Sequence, residues 1–208
     1  MSELVFFTNP MSRGRTVRWM LEEVGQPYRT EVLEYGTTMK SPEYLAINPM
    51  GKVPALVHGD VVVTETAAIC AYLADAFPQA GLAPASGSAL RGAFYRWLFF
   101  AAGPLEMACV NHAAGLAMPA DKEGMAGFGT LDLVLDTLEG AIGERRFLVG
   151  DAFSAADLFT GSMLGWLMGF GIIGKRAAFE RYAGPLLQRP ASVRAKEIDD
   201  GLMGTALH

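Results

Sequence analysis

The hydrophobic pattern of the first third of the chain changes period several times, and each change predicts an element. Leu4-Val5-Phe6-Phe7 is a short unbroken apolar run, the signature of a strand buried on both faces. After the turn Thr8-Asn9-Pro10-Met11-Ser12, the residues Val17, Met20, Leu21 and Val24 recur at helical spacing, and Gly25 stands where a C′ glycine ends a helix. Residues 28–34 alternate and are rich in strand formers, which completes a βαβ unit. Residues 35–49 are polar and loop-like, with one helical turn at Pro42-Glu43-Tyr44-Leu45. Val53-Pro54-Ala55-Leu56-Val57 and Val61-Val62-Val63 predict a hairpin around His58-Gly59-Asp60. Ile69, Tyr72, Leu73, Ala76 and Phe77 then mark a helix that Pro78 stops.

Beyond Pro78 no strand pattern of comparable clarity returns. Gly81, Pro84, Ser86, Gly87 and Ser88 punctuate a linker. Residues 89–115 are aromatic-rich and helical, with a kink expected at Gly103-Pro104. Phe128, Leu131, Leu135, Leu138 and Ile142 form a second helical stripe. Ser154-Ala155-Ala156-Asp157 reads as a capping box opening a third helix, with Phe153 and Leu158 at the positions of a hydrophobic staple. Two shorter helices flank Gly184-Pro185 and Pro190. The expected architecture is a βαβ-ββα domain over residues 1–78, a linker over 79–88 and an all-helical domain over 89–208.

Composition narrows the function classes. The chain has 208 residues, 51% of them hydrophobic and 19% charged, enough for two folded cores and unlike a disordered protein. Met1-Ser2-Glu3 runs straight into the first strand without a basic region or cleavage site, so no secretory leader is expected. The most apolar tract, residues 158–174, is interrupted by five glycines and by Thr160 and Ser162, which makes it a core helix and not a membrane span. Cys70 and Cys109 share no short spacing, so neither a disulfide framework nor a metal site is expected; both read as core thiols of a cytoplasmic protein. The formal charge of −5 argues against a nucleic-acid partner. The nucleophile elbow of serine hydrolases is absent.

The string Asn48-Pro49-Met50-Gly51-Lys52-Val53-Pro54-Ala55-Leu56, followed by Glu65-Thr66 at a helix start and later by Phe153-Ser154-Ala155-Ala156-Asp157, resembles the soluble glutathione transferases. The resemblance covers nearly the whole chain, and its specificity lies in the ordered set, since each motif alone is common. It implies a thioredoxin-like α/β domain followed by an all-α domain, of the bacterial theta/beta-like kind with a serine at the reactive position. It further implies glutathione as co-substrate, no metal, a small apolar electrophile as second substrate, and a homodimer pairing the first domain of one chain with the second of the other.

The chemistry of the residues agrees with this. Glu65 can pair with the ammonium of a γ-glutamyl group, and Thr66 adds a hydroxyl and an N–H at a helix N-terminus that favours the adjoining carboxylate. Alone, the same residues equally describe ordinary helix-start chemistry. Pro54 within a strand marks an edge; by resemblance the Val53-Pro54 bond is cis and turns the Val53 backbone outward to pair with an extended peptide. Lys52, and more weakly Lys40, are implied partners of the glycyl carboxylate, although a loop lysine is otherwise a solvated charge.

Ser12 is the reactive position, with Asn9 as the fallback donor. A thiol of pKa about 8.5 needs roughly 2.7 kcal/mol of thiolate stabilisation to drop by about two units. One hydrogen bond to a charged group supplies about 1.5–3 kcal/mol and a helix N-terminus about 0.3–1. The alternative is a serine that only caps its helix. Arg13 and Arg15 either add positive potential or are surface charges. Met11, Tyr95, Phe99, Met107 and His112 are candidate linings of an apolar second-substrate pocket, against the commoner role of an aromatic stripe as core. The absence of a cysteine near Ser12 speaks against a mixed disulfide on the protein, but peroxidase, disulfide-reductase or isomerase chemistry carried by glutathione itself stays open. So does a non-catalytic interaction protein on the same fold.

Overall fold

The computed structural model describes residues 3–116 and 118–205; Met1 and Ser2, on which the expectation of a missing leader partly rests, lie outside them. Strands β1 (Leu4–Thr8), β2 (Arg29–Val32), β3 (Ala55–His58) and β4 (Val61–Thr64) form one sheet in the order β2-β1-β3-β4. β1 runs parallel to β2 and antiparallel to β3, and β3 runs antiparallel to β4. The unbroken apolar run thus becomes an inner strand, with Leu4, Val5, Phe6 and Thr8 buried. Val61 and Val62 on the edge strand stay exposed.

Helix α1 (Gly14–Val24) makes the crossover between the parallel strands and ends at Gly25, whose φ of 70° places its N–H 2.9 Å from the Leu21 carbonyl. Its first residue has no room for a side chain: a Cβ on Gly14 would lie 2.0 Å from Thr8 Oγ1. A short helix α2 (Pro42–Leu45) forms as its sequence predicts, with Ser41 accepting from the Tyr44 N–H. α3 (Thr66–Ala76) follows the hairpin directly.

The helical part contains α4 (Leu90–Phe100), α5 (Glu106–Ala113), α6 (Leu131–Ile142), α7 (Ala155–Gly169) and α8 (Ala177–Leu187). The kink expected at Pro104 is instead a single π-helical turn, Ala101–Leu105, through which α4 continues into α5. Proline has no N–H for the usual helical bond, and the wider turn absorbs the loss. α8 likewise runs through Gly184 and Pro185, where the sequence suggested a break. The capping box of α7 is present. The Asp157 carboxylate accepts the Ser154 N–H at 3.0 Å, the Leu148 N–H at 2.7 Å and the Tyr182 hydroxyl at 2.8 Å. Burial raises its pKa despite these donors.

The domain division needs one correction. The chain forms two compact units, Met1–Leu82 with Arg189–His208, and Ala83–Gln188. The last helix, α9 (Pro190–Thr205), therefore belongs with the sheet and not with the helical domain, because it docks along α1. Its inward residues are Ala191, Ser192, Ala195 and Asp199, which recur at helical spacing but are small or polar. Arg18 of α1 meets Asp199 at 2.9 Å with both side chains buried. Among the described residues no helix is long and apolar enough to cross a membrane.

Candidate functional site

The strand registers gather the predicted glutathione-site segments of the first unit at one end of the sheet. Phe7 of β1 pairs with Ala55 of β3, and Ala55 pairs with Thr64 of β4. The turn after β1 with Ser12, the Val53-Pro54 bond before β3 and Glu65-Thr66 after β4 therefore lie side by side. Two strand spacings of about 4.8 Å separate the β1 turn from Glu65, roughly 10 Å. A tripeptide, extended at about 3.3 Å per residue, covers that span.

The turn carrying Ser12 is tightly tied. Ser12 Oγ donates to the Asn9 carbonyl at 2.7 Å and accepts the Gly14 N–H at 2.9 Å. Ser12 therefore serves the first amide of α1 from one residue outside the N-cap, Arg13, which makes no side-chain cap bond of its own. Asn9 is committed on both sides: its amide donates to the Leu33 carbonyl at 2.8 Å and its Oδ1 accepts from the Met11 N–H at 2.9 Å. Asn9 shapes the turn, whereas Ser12 holds the hydroxyl at the helix start. Met11 projects into solvent, 74% exposed. Arg15 is not a free positive charge: Nε donates to the Pro10 carbonyl and Nη2 to Asp200.

The string before β3 now has a physical reason at most positions. The Val53-Pro54 peptide is cis, as the resemblance implied. Val53 packs against the cluster of Met39, Tyr44 and Ala55, and the β3 ladder begins only at Ala55. The Tyr44 hydroxyl and the buried Asn48 amide both donate to the Lys52 carbonyl, at 2.5 and 2.8 Å. Burial pushes the Tyr44 phenol up to about 12, so it remains a donor. Gly51 has φ 57°, and a Cβ there would meet Lys40 Nζ at 2.7 Å and the Met39 carbonyl at 2.8 Å. Lys40 Nζ donates to the Met50 and Gly51 carbonyls, so it clamps this loop. The Lys52 side chain is exposed.

Glu65 precedes α3 with φ 66° and ψ 121°, the one non-glycine residue with positive φ among those described. A side chain there costs about 1–3 kcal/mol of backbone strain, the kind of outlier that clusters at ligand sites. Its carboxylate makes no capping bond to its own helix, although its carbonyl accepts the Ile69 N–H at 2.9 Å.

The electrophile-pocket candidates do not gather in the same way. Met11 belongs to the first unit, and Tyr95, Phe99, Met107 and His112 to the second. Tyr95 and Phe99 lie four apart on α4, exposed by 40% and 70%, and Met107 is 53% exposed. The aromatic stripe is therefore not core at these positions. His112 lines a cavity of about 430 Å³ with Asn111, Leu116, Phe128 and Thr130, which neither Tyr95, Phe99 nor Met107 reaches. The contributions that sequence reasoning missed are the Lys40 clamp on the Met50 and Gly51 carbonyls and the tie from Arg15 to the Asp200 carboxylate of the last helix; a contact to a backbone carbonyl carries no residue-type signature, and neither does an ion pair between residues far apart in the chain.

A four-stranded sheet of this order, with a cis-proline at the head of β3 and a helical unit following, defines the glutathione transferase class of fold. Residues 11–76 match the glutathione S-transferase N-terminal domain and residues 121–187 the C-terminal domain of that family. The chain is 30% identical to glutathione S-transferase GST-4.5 of Xanthomonas campestris over 67% of its own length and 71% of the relative's. It is 30% identical to glutathione S-transferase 3 of Zea mays, over 76% and 75% of the two chains. A sphingomonad glutathione S-transferase complexed with glutathione superposes with a TM-score of 0.76 at 30% identity, over 94% and 98% of the chains. The chain belongs to the glutathione S-transferase family.

Proposed function

We propose that this protein is a conjugating glutathione transferase of the serine-dependent, theta/beta-like kind. Reduced glutathione lies extended along Val53, with its γ-glutamyl end at Glu65 and Thr66, its glycyl carboxylate toward Lys52, and its sulfur at Ser12. The observation that carries this reading is the register Phe7–Ala55–Thr64, which aligns the three recognition segments at a spacing one tripeptide fills. A thiolate at Ser12 also meets the start of α1, where the positive end of the helix dipole favours negative charge. Catalysis is then thiolate stabilisation plus proximity, with no covalent intermediate on the protein.

The second substrate is a small apolar electrophile. The exposed Met11 beside Ser12 supports this. A homodimer belongs to the same proposal, supported by Val61 and Val62 exposed on an edge strand. Calorimetry with reduced glutathione, followed by turnover of an aryl halide, a hydroperoxide and a mixed disulfide, tests the reading. Binding plus aryl-halide turnover is expected. Binding with turnover of the hydroperoxide or disulfide alone would move the assignment to glutathione-carried redox chemistry, and binding without turnover to an interaction protein.

A further inference from the structure

Helix α9 is charged in a sequence complementary to α1. Arg15 and Arg18 near the start of α1 face Asp200 and Asp199 near the end of α9, at 2.8 and 2.9 Å. Glu22 and Glu23 at the end of α1 face Arg194 and Arg189, at 3.3 and 2.6 Å. This sign reversal fixes an antiparallel register between the two helices. One of the four pairs reaches further. Arg15 Nη2 bonds Asp200 Oδ1 at 2.8 Å while Arg15 Nε donates to the Pro10 carbonyl at 2.6 Å. The guanidinium fork thereby spans from α9 to the turn that carries Ser12. The other Asp200 oxygen is held by Lys196 Nζ at 2.8 Å, and Lys196 and Arg15 together keep the carboxyl below its ordinary pKa.

We infer that Arg15 is a positioning residue for Ser12, acting through the Pro10 carbonyl and aimed by Asp200 of the last helix. The inference rests on the proposed role of Ser12. Pro10 is buried, and the peptide after it leads into Met11 and Ser12, whose amides both bond to Asn9, at 2.9 and 3.0 Å. A guanidinium serves the carbonyl and the carboxylate at once; a lysine at this position reaches only one of them with the same geometry.

The test compares Asp200→Asn and Arg15→Lys with the wild type and with Ser12→Ala. For conjugation, Asp200→Asn and Arg15→Lys are each expected to lower kcat/KM several-fold, up to and not beyond the roughly tenfold loss expected of Ser12→Ala. The loss should fall on kcat more than on KM for glutathione, and the apparent pKa of the bound thiol should rise. Added to Ser12→Ala, Asp200→Asn should cause no further loss. Wild-type activity and thiol pKa in both variants, alongside an impaired Ser12→Ala, would overturn the inference and leave the proposed function standing. If the wild type itself neither binds glutathione nor depends on Ser12, the functional reading fails, and amide hydrogen exchange in the free protein decides the structural half. Faster exchange at Met11 and Ser12 alone in Asp200→Asn supports positioning. Unchanged exchange there, or acceleration along all of α1 from a lost α9, refutes it.

Discussion

Replacing Ser12 by alanine perturbs two bonds at once, and the structure sets the size of the effect. In the free protein the hydroxyl proton already sits on the Asn9 carbonyl at 2.7 Å. Serving a thiolate means exchanging that neutral bond, worth about 0.5–1.5 kcal/mol, for a charge-assisted one of about 1.5–3. The net gain is about 1–1.5 kcal/mol, smaller than an uncommitted hydroxyl would give. The start of α1 adds about 0.3–1 kcal/mol, and the Gly14 N–H that donates to Ser12 Oγ strengthens it as a donor. At about 1.36 kcal/mol per unit, the bound thiol should titrate roughly one to two units below its free value of about 8.5. Ser12→Ala should raise that pKa by about one unit, leave glutathione affinity at acidic pH nearly unchanged, and slow conjugation about tenfold below the wild-type pKa. Thiolate absorbance of the glutathione complex, titrated against pH, measures it directly. An unshifted titration in the alanine variant would refute the reasoning and remove Ser12 from the mechanism. The lost bond to the Gly14 N–H should separately cost about 0.5–1.5 kcal/mol of stability in denaturant unfolding.

Glu65→Gly should relieve the positive-φ strain and raise stability by about 1 kcal/mol net of glycine's own entropy, while glutathione binding is lost; unchanged affinity by calorimetry would exclude Glu65 as the ammonium partner. Gly14→Ala should destabilise the first unit by more than about 2 kcal/mol, because its Cβ would fall 2.0 Å from a fully buried Thr8 hydroxyl, and equilibrium unfolding measures this. Asp157→Ala should cost about 3 kcal/mol or more, since the Leu148 and Ser154 N–H groups and the Tyr182 hydroxyl lose their acceptor in the interior. The Asp199 carboxyl is held above its ordinary 3.8 by burial, so the folded state binds its proton more tightly than the unfolded state. Its contribution is fully present below the unfolded value and is lost as pH rises through the folded one; the stability of wild type relative to Asp199→Asn should therefore fall over that window. A flat difference across it would contradict the assignment.

The sheet and the turn before β3 were legible because they are written in periodicities and rare residues. The unbroken run at residues 4–7, the hairpin around Gly59 and the terminal Gly25 each predicted the element that forms. The string around Pro54 marked the turn into β3 because its asparagine, glycine and proline each meet a specific backbone demand. The docking of α9 on α1 escaped for the opposite reason: its buried face is Ala191, Ser192, Ala195 and Asp199, so the packing surface carries no hydrophobic stripe, and its partner residue on α1 is the buried Arg18. The proposed second-substrate residues were readable only as a list of candidates, since an exposed side chain leaves the same trace in sequence whether or not it faces a ligand.

The first unit is discontinuous in the chain, with residues 83–188 threaded between its two parts. On a ribosome, its sheet emerges well before α9, and the unit stays incomplete until that helix has been synthesised. The intervening helical unit has its whole sequence available earlier and is free to fold by itself. Two of the arginines of α1 then await carboxylates translated about 180 residues later.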